Sequence, residues 1–142
     1  MPAREHRRLP GDLGILAEVR ALVAQVIGLG GFPDALRQRM QLAVEEAVTN
    51  VIRHGLDRCP ADRRAIELGL LAGRDEFRVE LLDHGAAFDP RCLAEPDLAA
   101  HVAAGRSHGL GVLLMRRLMD DIDYRPGAGG ANRLVMIKRA AG

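Results

Sequence analysis

Glu46, Asn50 and His54 stand four residues apart in the run Leu42-Ala43-Val44-Glu45-Glu46-Ala47-Val48-Thr49-Asn50-Val51-Ile52-Arg53-His54-Gly55. On a helix that spacing puts all three on one face. A carboxylate and an amide oxygen side by side can hold a hard cation or orient a water. A polar row opposite an apolar stripe is also the ordinary solvated face of a helix. Glu46 is in register with Asn50 and Glu45 is not, so Glu46 is the candidate general base toward a hydroxyl near a metal-bound phosphate. His54, in the last turn, is the weaker member, because a histidine there also serves as a favourable charge on the helix dipole.

Two further segments carry chemistry. In Asp83-His84-Gly85-Ala86-Ala87-Phe88-Asp89-Pro90, small residues after a lone aspartate let a flat ring approach, and the carboxylate can accept a hydrogen bond from an exocyclic amine. The same residues also spell a turn after a strand. Gly105-Arg106-Ser107-His108-Gly109-Leu110-Gly111 runs into an apolar stretch, so its bare backbone N–H groups open a helix and form an anion site. No Gly-Lys-Ser/Thr follows and no strand precedes it, which excludes the Walker loop and the dinucleotide fingerprint. Arg106 is either a phosphate contact or a solvated cation.

The elements that must position these residues are legible as periodicities. Leu13, Leu16, Val19, Val23 and Ile27 predict a helix over Asp12 to Leu29, closed by Gly28, Gly30 and Gly31. Leu36, Met40, Ala43, Ala47, Val48 and Val51 predict a second over Ala35 to His54, stopped by Gly55. Alternating Ile66/Leu68/Leu70 and Phe77/Val79/Leu81 around Gly73-Arg74-Asp75 predict an antiparallel hairpin. A long loop follows Asp83, then a buried helix from Leu110 to Met119, then strands over Asp121 to Tyr124 and Arg133 to Lys138. The expected order is helix, helix, strand, strand, loop, helix, strand, strand. That is an α+β fold, a two-layer α/β sandwich with a mostly antiparallel sheet covered on one face by helices.

Composition bounds the rest. The chain has 142 residues, the size of one domain, expected as 1–142 with a core over about 12–139. Twenty basic against nineteen acidic side chains leave +1, and one Tyr, three Phe and no Trp leave few stacking platforms, so nucleic acid is not an expected partner. No apolar run approaches the roughly 20 residues of a membrane helix. Met1 to Pro10 is arginine-rich without a signal peptide's apolar stretch, so a cytoplasmic protein without membrane contact is expected. Cys59 and Cys92 lack metal-site spacing and read as reduced thiols.

Taken jointly, Glu-x-x-x-Asn on a helix, Asp-x-Gly-x-x-Phe-Asp-Pro, and Gly-Leu-Gly before a helix ending in Leu-Met-Asp resemble the Bergerat-fold ATP-binding (GHKL, histidine-kinase-like) superfamily. Ala43 to Asn50 with Arg53-His54-Gly55, then Leu118-Met119-Asp120 and Gly129-Gly130-Ala131-Asn132-Arg133-Leu134 with Lys138-Arg139, resemble its anti-sigma-factor serine/threonine-protein kinases, over about Leu13 to Arg139. The resemblance implies ATP and Mg²⁺, with Asn50 on the metal and Glu46 as the base activating a serine hydroxyl. It also implies Asp83 on the adenine amine, Gly85 shaping the ring pocket, Gly109, Leu110 and Gly111 around the phosphates, and Asp89 to His108 as a lid. Implied partners are a STAS-domain anti-anti-sigma protein, a sigma factor and a second copy of the chain.

Ala87 stands where that family usually has a second glycine, adding a methyl near the adenine site, and the loop around Gly105 is less glycine-rich than in many relatives. The alternative reading is therefore a non-catalytic ATP-binding partner-switching module of the same fold. A histidine-kinase catalytic domain shares the pocket, but it is expected to need a phosphoacceptor helix pair for which the chain has no room.

Overall fold

The computed structural model describes residues 1–56, 59–60, 63–86, 110–127 and 130–141. Within them five strands form one sheet: β1 (Ala3–Leu9), β2 (Ile66–Ala72), β3 (Glu76–Asp83), β4 (Asp121–Arg125) and β5 (Asn132–Arg139). Their order is β1-β2-β3-β5-β4, and each neighbouring pair is antiparallel. Helices α1 (Leu16–Gly30), α2 (Arg37–Asn50) and α3 (Leu110–Leu118) complete the α+β sandwich expected from the periodicities.

One hydrophobic cluster joins the layers. Ile66, Leu68, Leu70 and Ala72 on β2 and Phe77, Val79 and Leu81 on β3 are buried, while the residues between them are only half-buried. They share that cluster with Val19, Val23, Val26 and Ile27 of α1 and with Met40, Ala43, Val44 and Val48 of α2. Each large side chain so buried contributes about 1.5–3 kcal/mol. The Phe32 ring packs at 5.9 Å and a 43° tilt from that of Phe77. Because side chains alternate with period two, the inward row Phe77, Val79, Leu81 ends by turning Asp83 toward the helices as well. The core pattern itself therefore delivers a buried carboxylate.

The helix ends follow from local chemistry. Asp12 caps a short 3₁₀ turn (Leu13–Ile15) ahead of α1 by accepting from the Gly14 N–H at 2.8 Å. Gly31, at φ 77°, closes α1 in the left-handed conformation that glycine adopts without penalty.

Three expectations change. The chain opens with a strand and not with the first helix: β1 pairs along its length with β2, from Ala3↔Ala72 to Leu9↔Ile66. As an edge strand it carries Arg4, Arg7 and Arg8, and that charge hides the alternation. The second helix ends at Asn50; Val51–Gly55 form a π turn in which the Leu56 N–H donates to the Val51 carbonyl at 3.0 Å. His54 lies in this wider turn and not in α2, and it is exposed. Finally, Leu13–Gly30 does reach the length and hydropathy of a membrane span, with a mean of 1.6. Its apolar side, however, is buried in the core against α2 and the sheet.

Cys59 carries a free thiol, as expected. Cys92, Ala87, Arg106, Gly109 and the Asp89–His108 segment lie outside the described residues.

Candidate functional site

Adjacent carboxylates on α2 have different fates. Successive helical residues are turned by about 100°, so Glu45 and Glu46 cannot face the same neighbour. Glu45 points to α1, where Arg20 donates to it through Nη2 at 2.9 Å and Nε at 3.2 Å. One turn earlier, Gln41 Nε2 donates to the Arg20 carbonyl at 3.0 Å. Glu45 is thereby committed to joining the two helices. Glu46 is half-buried, and no described residue donates a hydrogen bond to it. Burial holds its carboxyl above the ordinary carboxylate range, the Arg53 guanidinium works against that, and Glu45 adds to it. One turn on, the amide Nδ2 of Asn50 is buried without an acceptor among the described residues.

The end of β3 is the opposite case. Asp83 is 4% exposed and Asn132, directly across from it in the β3–β5 register, 3% exposed. Asp83 Oδ1 accepts from the Gly85 N–H at 2.8 Å and from Asn132 Nδ2 at 3.1 Å. Asn132 Nδ2 also donates to the Gly85 carbonyl at 2.9 Å, and its Oδ1 accepts from the Gly127 N–H at 3.0 Å. Burial pushes the Asp83 carboxyl up, opposed by the hydrogen bonds from Gly85 and Asn132 and by the charge of His84.

These two regions meet through glycine. A Cβ on Gly85 would sit 2.0 Å from the Gly55 carbonyl oxygen, so only glycine lets the turn after β3 lie on the π turn after α2. The Ala86 N–H then donates to the Gly55 carbonyl at 2.7 Å, and a Cβ on Gly55 would come within 3.6 Å of Asp83 Oδ1. A depression of about 370 Å³ opens here, lined among others by His54, Gly55, Cys59, His84, Gly85 and Ala86. The opening residues of α3, Leu110 and Gly111, begin a helix that packs beside α2. A helix start of this kind leaves N–H groups without intrahelical acceptors.

The residues present fit a magnesium–phosphate group. The partnerless Asn50 Nδ2 lacks the acceptor that a phosphate oxygen would provide, and the amide carbonyl is a hard oxygen donor of the kind Mg²⁺ takes. No cluster of three His, Cys, Asp or Glu suited to a metal occurs among the described residues. A cation at Asn50 would accordingly draw most of its ligands from phosphates and water, which is the usual habit of Mg²⁺.

Sequence reasoning singled out Asp83, Gly85, Glu46 and Asn50, and the fold brings the ends of β3 and α2 together. It gave no site role to Asn132, and to Gly55 only that of a helix stop, although both stand in segments that carried the resemblance. Pairing the Phe77–Leu81 alternation against that of Leu134 and Met136 would have placed Asn132 opposite Asp83.

The site thus joins a buried carboxylate at one strand end to an uncompleted amide at a neighbouring helix end, on an antiparallel α+β sandwich. Residues 9–138 match the histidine kinase-like ATPase domain family, and the chain belongs to it. It is 32% identical over 106 residues to the serine/threonine-protein kinase BtrW of Bordetella bronchiseptica, covering 75% of this chain and 72% of that one. It is 31% identical over 119 residues to the serine-protein kinase RsbW of Bacillus thuringiensis, covering 81% and 72%. Among solved structures, the RsbU and RsbW domains of a Mycobacterium tuberculosis protein superpose at a TM-score of 0.66 and 18% identity, over 96% of this chain and 32% of that one. The SiaB–SiaC complex from Pseudomonas aeruginosa superposes at 0.65 and 15% identity, over 94% and 88%. At those identities the structural matches speak to the fold.

Proposed function

We propose that this chain is an ATP-dependent protein serine kinase of the anti-sigma-factor type. The carrying observation is the division between the two α2 carboxylates: Glu45 is spent on Arg20, whereas Glu46 is left one turn before the partnerless Asn50 amide. The kinase names of the relatives support the same activity.

On this reading Asp83 accepts from the adenine amine, with Gly85, Ala86 and Ala87 beside the ring. Asn50, Gly109 and the opening of α3 at Leu110 and Gly111 hold the phosphates, with Arg106 as an added cationic contact. Bound Mg²⁺ supplies charge neutralisation at the phosphates. Glu46 takes the proton from a serine hydroxyl of the protein substrate as its oxygen attacks the γ-phosphorus and ADP leaves. Burial suits Glu46 to this role, since a base with a raised pKa has more affinity for the incoming proton. Phosphoryl transfer asks the protein for position and charge more than for covalent chemistry.

The substrate is a STAS-domain antagonist protein, the second partner is a sigma factor that stays sequestered once the antagonist is phosphorylated, and the working unit is a cytoplasmic homodimer. Incubation with labelled ATP, Mg²⁺ and a cognate STAS protein tests the reading. Serine phosphorylation is expected; tight ATP binding without it would overturn the kinase assignment. One observation favours a second reading, a non-catalytic ATP-binding module: Ala87 replaces a glycine that the family usually has. Full regulatory activity in Glu46→Ala would select that module.

A further inference from the structure

Asn132 is fully committed. One N–H of its amide goes to Asp83 Oδ1 and the other to the Gly85 carbonyl, while its oxygen accepts from Gly127 in the β4–β5 connection. Both hydrogen bonds that Asp83 accepts from described residues fall on Oδ1. The carboxylate is thus pinned by one oxygen, and the other is the acceptor it presents. An ionised carboxylate has no donor to offer, and the amide has no N–H left over.

We propose that Asn132 is the positioning residue that fixes Asp83 as an oriented acceptor, and that it thereby sets a preference for 6-amino over 6-oxo purine nucleotides. This rests on the reading that a base binds at Asp83. A 6-amino group gives Asp83 the donor it lacks, whereas a 6-oxo group in the same pose sets a carbonyl oxygen against the carboxylate. A site built around a buried hydrogen-bonding group rejects the analogue that leaves it unpaired.

Asn132→Asp keeps the shape and replaces the donating amide by a second carboxylate. Two carboxylates in contact do not both ionise readily, so the pair holds a shared proton as pH falls. That proton restores a donor between positions 132 and 83. The other ionisable groups around Asp83 are His84 beside it and His54, Arg63 and Cys59 along the depression. Wild type and variant have these in common, so they cancel in the ratio of variant to wild-type Kd.

The experiment titrates wild type, Asn132→Asp and Asn132→Leu with ATP and with inosine triphosphate in Mg²⁺, from about pH 9 down to about pH 5.5, with thermal unfolding to confirm folding. For Asn132→Asp the expected variant-to-wild-type Kd ratio for ATP is at least about tenfold at the alkaline end and shrinks as pH falls. For Asn132→Leu, branched at the same carbon and without a donor, the expected loss is independent of pH, and the ATP-over-inosine preference narrows. If Asn132→Asp does not fold, Asn132→Leu carries the test through the narrowed preference alone. Folded variants with wild-type ATP affinity and undiminished preference overturn the role of Asn132. A wild type that binds neither nucleotide overturns the ATP reading itself, a result distinct from the former.

Discussion

At the Asp83 end of the site, two buried side chains and three backbone groups satisfy one another through four hydrogen bonds. At the Asn50 end, a buried amide N–H₂ has no acceptor among the described residues and burial holds the Glu46 carboxyl above its ordinary range against the opposing charge of Arg53. Both regions lie where helix α2 and strand β3 converge. The first is oriented by the protein itself, with one Asp83 oxygen left to accept; the second is without the partner its amide needs. An unpaired buried donor costs about 1–3 kcal/mol, which binding recovers by supplying the acceptor. On the proposed reading, base selection is a property of the resting fold and phosphate binding a repair of it.

The largest effect is expected at the uncompleted end. Glu46→Gln removes the base and keeps the shape, so phosphoryl transfer should fall by about 10²–10⁴ in single-turnover assays while ATP affinity changes little. A variant that transfers phosphate at the wild-type rate would remove Glu46 from the chemistry.

Next comes Asp83→Asn, which should weaken ATP binding by about 1–3 kcal/mol, read by calorimetry. Its effect on stability runs the other way. Burial raises the Asp83 carboxyl in the folded state, so the folded protein binds that proton more tightly than the unfolded chain does. The stability it contributes is present below the unfolded value and is lost as pH rises through the folded one. Asp83→Asn should therefore unfold at a temperature no lower than wild type at neutral pH, and its advantage should vanish in acid. Equal loss of stability at all pH values would mean that the four-bond knot is structural only.

The smallest effect sharpens the contrast between neighbours. Glu45→Gln breaks an ion pair whose Arg20 side chain is 62% exposed, so stability should shift by less than about 1 kcal/mol in denaturant unfolding, with the ATP titration unchanged.

Much of the fold was legible because burial and period coincide. The β2–β3 hairpin, α1, α3 and the β4–β5 pair all fall where apolar spacing placed them. What escaped had a physical reason in each case. Strand β1 is a charged edge whose arginines mask its alternation, and the π turn at Val51–Gly55 depends on i→i+5 bonding that no side-chain pattern records. Glu46 and Asn50 could be paired by helical spacing, but the Arg20–Glu45 contact that separates Glu46 from its neighbour joins residues 25 apart in sequence. Asn132 was hidden for the same reason, since its partner Asp83 lies 49 residues away and only strand register brings them together.

The measurement that bears most directly on the account is an ATP titration with and without Mg²⁺, comparing wild type with Asn50→Ala. Metal-dependent binding in wild type that is lost in a folded Asn50→Ala protein is the predicted result. Equal binding by the two proteins, or wild-type binding indifferent to Mg²⁺, would contradict the assignment of Asn50 to the metal–phosphate end of the site.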